Sequence, residues 1–178
     1  NLKYGNKKVA AIIACRVDSE RLFAKPIHNL KNFSILEHLV TQIKTSKQIE
    51  EIVLAISENP GNEIFVNFAK EHNLKFVLGD DHDVLQRLII GAKFVDADIV
   101  FRVTSENPYI YWQGIDKLII NHIKGNHDFS FYKDLPIGSS YEIINLQTLE
   151  KSHQAGKKKH RSELCSLYVF EHKKSFKI

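Results

Sequence analysis

The chain is poor in the residues that would take it away from an ordinary globular fold. Only 8 of its 178 residues are Gly and 4 are Pro, far from the glycine repeat of collagen or the Pro- and Gly-rich composition of low-complexity chains. Two cysteines, Cys15 and Cys165, are too few for a disulfide-stapled scaffold. They lack C-x-x-C spacing and make no recognisable zinc motif with the nine scattered histidines, so free thiols are expected. No apolar run reaches the ~18–20 residues of a membrane span. Ahead of the first strand-like run there is neither a long apolar segment nor a small-residue cleavage site, so no secretory signal is expected and a cytoplasmic location follows by default. Methionine is absent too, which excludes nothing.

What remains is 43% hydrophobic and 26% charged, enough apolar material for a sizeable core in a single domain over 1–178, within the common ~100–200 residue range. The net charge of +4 permits anionic substrates without requiring nucleic acid. The basic run Gly156 to Arg161 has no interleaved aromatics and reads as a polar connector.

Val9 to Cys15 is a short, nearly continuous apolar run, as in a parallel strand buried on both faces. Ser34 and Glu37 form a capping-box pattern ahead of a helix whose Leu36, Leu39, Val40 and Ile43 recur at helical spacing. A second strand over Glu51 to Ser57, a helix carrying Ile64, Phe65, Phe68 and Ala69, a third strand at Lys75 to Leu78, a helix from Val84 to Phe94 and a fourth strand at Ala97 to Val103 continue the alternation. That order predicts an α/β fold, a mostly parallel sheet with helices on both faces and right-handed crossovers. Further on, helices are expected over Tyr111 to His122 and Leu146 to Gln154, with extended pieces near Asp128 to Tyr132 and Tyr141 to Asn145. An amphipathic helix is expected over Ser162 to His172, with Leu164, Leu167, Tyr168 and Phe170 as its apolar face. Tyr111 and Trp112 could stack on a sugar, though packing into the core is the expectation for aromatics at a helix start.

Ligands of such sheets sit beyond the carboxyl ends of the strands, which directs attention to the loops Arg16 to Pro26, Ser57 to Gly61 with Gly79 to Asp83, and Thr104 to Pro108. The first places Arg16, Arg21 and Lys25 within ten positions, with Ser19 among them. Such cations can converge on a polyphosphate by charge-assisted hydrogen bonds, or form a solvated loop paired with Asp18 and Glu20. Neither G-x-x-x-x-G-K-S/T nor G-x-G-x-x-G occurs. Cys15 follows a strand, but no His is placed by sequence to activate it, and it reads as a small buried hydrophobe.

The stretch Ile12 to Lys25 resembles the A-R-M-G-S-T-R-L-P-G-K signature of the cytidylyltransferases, the family of the acylneuraminate enzymes and the spore-coat polysaccharide group. Leu36-Glu37-His38, Ile49 to Pro60, Asp83-Val84-Leu85 with Arg87, Arg102 to Pro108 and Arg161 to Tyr168 resemble further family segments in the same order. The resemblance implies a GT-A-like (Rossmann-like) fold, in which a sugar hydroxyl attacks the α-phosphate of CTP to give a CMP-sugar and pyrophosphate. It implies a triphosphate cradle of Arg16, Ser19, Arg21 and Lys25, with Arg16, Arg21 and Lys25 as the catalytic cations. The nucleotide would also meet Ala14, Ser57, Asp83 and Arg87. Mg²⁺ would be held by Glu106 and Glu142, and the sugar acceptor would meet Glu163 and Arg161. On local grounds Asp83 serves equally as a helix N-cap, and Glu163 as a first-turn acid. The resemblance also implies a homodimer and a chain that runs on past Ile178.

The departures fall where the chemistry should be. Asp18 replaces a Gly, Phe23-Ala24 replace Pro-Gly, Glu106 stands where the family has Asp, Ser140 replaces a second acid, and Leu164 replaces a His. A longer carboxylate displaces a ligand for an ion that demands near-octahedral geometry. Three readings follow: a CTP-dependent nucleotidyltransferase for surface polysaccharide with altered metal ligands, a catalytically weakened nucleotide- or sugar-binding homologue, or a diverged GT-A-type glycosyltransferase.

Overall fold

The computed structural model describes residues 3–17 and 24–178. Strand β1 (Val9–Cys15) lies at the centre of a six-stranded sheet. The chain passes through a small hairpin, β2 (Asn29–Leu30) and β3 (Phe33–Ser34), into α1 (Ile35–Ile43), then β4 (Ile49–Ser57), α2 (Glu63–Glu71), β5 (Lys75–Gly79), α3 (Val84–Phe94) and β6 (Ile99–Arg102). It continues through α4 (Ile115–Lys124), β7 (Phe129–Phe131), β8 (Glu142–Asn145), α5 (Leu146–Ala155) and α6 (Leu167–Glu171). The strand order is β5-β4-β1-β6-β8-β7. The first four are mutually parallel, and β8 runs antiparallel to both its neighbours. The α/β fold with a mostly parallel sheet is the one the alternation of patterns predicts.

Burial on both faces explains why β1 reads as a continuous apolar run. Val9, Ala11, Ile13 and Cys15 point into one core with Leu36, Leu39 and Ile43 of α1 and Phe65 and Phe68 of α2. Ala10 and Ile12 point into the other, with Leu85, Leu88 and Ala92 of α3 and Leu149 of α5. The period-2 alternation of a strand assigns neighbours to opposite layers. The helices α1 and α2 share a face as the chain steps outward from β1 to β5, and α3 crosses back on the other. This is what right-handed crossovers require when the direction of travel reverses. The capping box forms as expected: Glu37 N–H donates to Ser34 Oγ at 3.1 Å, and Ser34 N–H donates to Glu37 Oε2 at 2.6 Å.

Two expectations fail in the last third. The amphipathic helix over Ser162 to His172 is only α6, and Leu164 is 57% exposed rather than part of an apolar face. The Glu163 carbonyl accepts from Arg102 Nη2 at 2.7 Å, and Leu164 N–H donates to Ser162 Oγ at 3.4 Å. Side chains thus take backbone groups that a helix would use, and Cys165 and Val169 supply the buried contacts. Tyr111 and Trp112 are not core residues either, at 39% and 44% exposure. They precede the helix in a 3₁₀ turn (Trp112–Gly114), with the Tyr111 backbone held by Ser139 and Tyr141.

Gly91 lies where α3 crosses the sheet, and a Cβ there would stand 2.8 Å from Ile12 Cγ2. Gly91→Ala therefore sets an overpacking cost of ~1–3 kcal/mol against a helix-propensity gain of ~1 kcal/mol. A net fall in the thermal midpoint is expected.

His122 is 1% exposed on α4. Its Nε2–H donates to Asn145 Oδ1 and its Nδ1 accepts from Ser130 Oγ, each at 2.8 Å, while Asn145 Nδ2 donates to the His127 carbonyl. Burial, with His127 nearby, lowers the pKa of His122 below its ordinary 6.5, although the Asn145 hydrogen bond opposes the shift. A histidine with a depressed folded pKa leaves stability undiminished above the unfolded value, and stability is lost progressively as pH falls from that value toward the folded one. The thermal midpoint should fall as pH drops below 6.5, and His122→Gln should flatten that slope in a pH series of melts.

Candidate active site

The carboxyl ends of β1, β4, β5 and β6 meet at one edge of the sheet, and Arg87 forms the floor beneath them. It is 1% exposed. Its Nη1 donates to the Cys15 carbonyl at 3.1 Å and to the Ala55 carbonyl at 3.0 Å, tying the ends of β1 and β4. Its side chain packs so closely under Gly79 that a Cβ there would lie 2.8 Å from Arg87 Cγ. Among the described residues, no carboxylate pairs with the guanidinium and its Nε has no partner. Burial lowers its pKa, opposed chiefly by Cys15 and Asp81. Arg87 therefore acts on the site through backbone and charge from below, its charge offset in part by Asp81. Burial also pushes the Cys15 thiol up to about 12, only partly offset by Arg87, so it is no nucleophile at neutral pH.

Arg16 is exposed directly after β1. Ser19 and Arg21, with Asp18 and Phe23, lie outside the described residues, but both ends of their loop are defined. The Ala24 N–H donates to the Val17 carbonyl at 3.0 Å, closing the neck. The Val17 N–H donates to Asn62 Oδ1 at 2.7 Å, and Asn62 itself is 3% exposed. Ala24 takes φ 48° in the left-handed region, which costs a non-glycine residue ~1–2 kcal/mol. That conformation turns the chain into the 3₁₀ turn Lys25–Ile27 and sets Lys25 Nζ 3.4 Å from Glu106 Oε2. The structure thus brings the first and third loops together.

The loop after β6 is positioned by Gln42 of α1. Its Nε2 donates to the Pro108 carbonyl, and its Oε1 accepts from the Ile110 N–H at 3.0 Å. Neither Gln42 nor Asn62 stands out in the sequence: one is a polar residue on an amphipathic helix, the other a polar residue in a turn. Only contacts across 68 and 45 positions reveal them.

Ser57 is buried and its hydroxyl donates to Asp81 Oδ1. Asp83 caps α3, accepting from Gln86 N–H at 2.9 Å, and its Oδ2 meets His153 Nε2 at 2.7 Å. Arg161 Nη2 donates to the His153 carbonyl at 3.3 Å, so Asp83, His153 and Arg161 form a second cluster beside the α3 N-terminus. A third centres on Arg102, whose Nη1 meets Glu142 Oε2 at 3.1 Å while its Nη2 takes the Glu163 carbonyl. Ala14 is half-buried against the α3 face of the sheet.

Among the described residues, no three His, Cys, Asp or Glu side chains stand together as a metal cage. Glu142 is occupied by Arg102, with both side chains under 20% exposed. Glu106 and Lys25 are about 42% and 41% exposed, and an exposed pair of this kind is worth only ~0–1 kcal/mol. Its carboxylate can exchange Lys25 for another cation at little cost. One carboxylate suits Mg²⁺, which keeps several waters and takes its other ligands from substrate phosphates. Among the described residues, no helix is long and apolar enough to cross a membrane.

A family model described as cytidylyltransferase matches residues 10–177. The chain is 30% identical over 171 residues to an uncharacterized protein of Methanocaldococcus jannaschii, covering 96% of this chain and 70% of that one. It is 23% identical over 180 residues to the spore coat polysaccharide biosynthesis protein SpsF of Bacillus subtilis, covering 94% and 72%. The structure of a cytidylyltransferase from Leptospira borgpetersenii superposes with a TM-score of 0.87 at 25% identity, covering 96% of this chain and 74% of that one. With nearly its whole length matched by the family model, the chain belongs to the cytidylyltransferase family, whose reaction is nucleotidyl transfer from CTP.

Proposed function

We propose that this protein transfers CMP from CTP to a sugar hydroxyl, forming a CMP-sugar for surface polysaccharide. The observation that carries the reading is the pair Arg16 and Lys25, set on either side of a closed loop neck at the end of β1, with Lys25 reaching Glu106. The membership of the family supports CTP as donor, and the likeness to SpsF supports a polysaccharide precursor as product.

In this reaction the acceptor oxygen forms a bond to the α-phosphorus while the bond to the bridging oxygen breaks and pyrophosphate leaves. Positioning and charge stabilisation account for most of the catalysis of such transfers. Arg16 and Lys25, with Arg21 and Ser19 of the same loop, hold the β- and γ-phosphates and neutralise the leaving group. Arg87 contributes a fixed positive charge from below. Asp81 holds Ser57, and Asp83 with His153 and Arg161 shapes the side where the base and ribose lie. Glu106 holds Mg²⁺, which when bound supplies further charge neutralisation at the phosphates. The resemblance assigns the acceptor contacts to Glu163 and Arg161, the latter from the edge of the cluster with Asp83 and His153. A catalytically weakened, nucleotide-binding role has one observation in its favour: Ser140 offers no carboxylate and Glu142 is spent on Arg102.

Calorimetric titration should show CTP bound more tightly than ATP or GTP. Arg16→Ala or Lys25→Ala should each weaken CTP by ~1.5–3 kcal/mol, the range of a charged hydrogen bond. Glu106→Gln should abolish the Mg²⁺ enhancement of CTP affinity while leaving metal-free binding intact. Pyrophosphate release with a panel of sugar acceptors separates the two readings: release supports the transferase, and tight CTP binding without release supports the weakened homologue.

A further inference from the structure

Asn62 sits directly before α2, where an asparagine would ordinarily cap the helix, yet its side chain makes no capping bond. The carboxamide turns toward β1 instead. Its Oδ1 accepts from the Val17 N–H at 2.7 Å and its Nδ2 donates to the Asn59 carbonyl at 3.0 Å. With the side chain 3% exposed, water does not offer these groups alternative partners, so the geometry is fixed from both ends. The Val17 carbonyl accepts from the Ala24 N–H at 3.0 Å. Both polar backbone groups of Val17 are therefore engaged, one by Asn62 and one by Ala24. Arg16 precedes Val17 and Lys25 follows Ala24, so the placement of this one peptide sets where the two cations stand relative to each other.

We propose that Asn62 is a positioning residue for the triphosphate end of the nucleotide: it holds Val17, and through the neck it sets the spacing of Arg16 and Lys25. It touches no substrate atom. The inference rests on the reading of that loop as a phosphate cradle. A role confined to stability would lower the thermal midpoint and leave nucleotide preference alone. A role in spacing the cations must act on ligands that carry β- and γ-phosphates and spare those that do not. CTP and pyrophosphate belong to the first class, CMP to the second.

The test is a titration of CTP, pyrophosphate and CMP against the wild type, Asn62→Ala, Asn62→Gln and Arg16→Ala, well below each variant's thermal midpoint. Asn62→Gln keeps both amide groups but moves them by one methylene, and it serves where Asn62→Ala does not fold. The expected result is a CTP and pyrophosphate affinity lowered roughly tenfold with CMP affinity within about twofold of wild type. Faster hydrogen exchange at Val17 and Ala24 should accompany it. Equal losses for CTP and CMP, or no loss for either while Arg16→Ala still weakens CTP selectively, would overturn the role of Asn62 and leave the cradle standing. If Arg16→Ala also leaves the CTP-to-CMP ratio unchanged, the cradle reading itself fails and the role of Asn62 falls with it.

Discussion

A buried guanidinium that pairs with no carboxylate among the described residues is the constraint around which this molecule is arranged. Taking an ion out of water costs several kcal/mol even after relaxation, and Arg87 recovers part of that from the carbonyls of Cys15 and Ala55. Those carbonyls lie at the end of β1 and two residues before the end of β4, so the bonds that solvate the charge also fix the edge from which the functional loops depart. The same requirement dictates Gly79, since a side chain there would strike Arg87. The electrostatic consequence is a fixed positive charge beneath that edge, offset in part by Asp81. Like-charged Arg16 above it adds to the field instead of cancelling it.

Above that floor, the loops are fixed by neutral amides and the charges are left free to exchange. Gln42 and Asn62 engage backbone groups with good hydrogen bonds in buried or half-buried settings. The Lys25–Glu106 pair is half-exposed and weak. This division suits a site that must accept a highly charged ligand: rigid where geometry is set, labile where charge must be handed over. By contrast Arg102 and Glu142 form a pair shielded on both sides, and breaking it would strand a buried charge. It joins β6 to β8 and secures the segment before α6.

Much of the fold could be read from residue patterns. Val9 to Cys15 and Val84 to Phe94 match the observed strand and helix end to end, because an apolar run buried on both faces and a capped amphipathic stretch each leave a periodic trace. The last third resisted for the opposite reason. Ser162 to Cys165 has helical periodicity, but Arg102 from a distant strand takes its backbone carbonyl. Likewise the basic connector hides His160, which is 3% exposed and bonded to Lys157 N–H and Glu171.

The sequence by itself determined the order of strands and helices, the division of apolar residues between two layers, and the cations that stand after β1. All of these are local or periodic properties of neighbouring residues. Only the tertiary structure decided which polar groups meet. That Lys25 reaches Glu106 across 81 positions, that Asp83 is shared with His153, and that Asn62 turns from its helix to hold Val17 depend on the strand order. The sheet brings the ends of distant segments side by side, and no pattern along the chain records that distance in space.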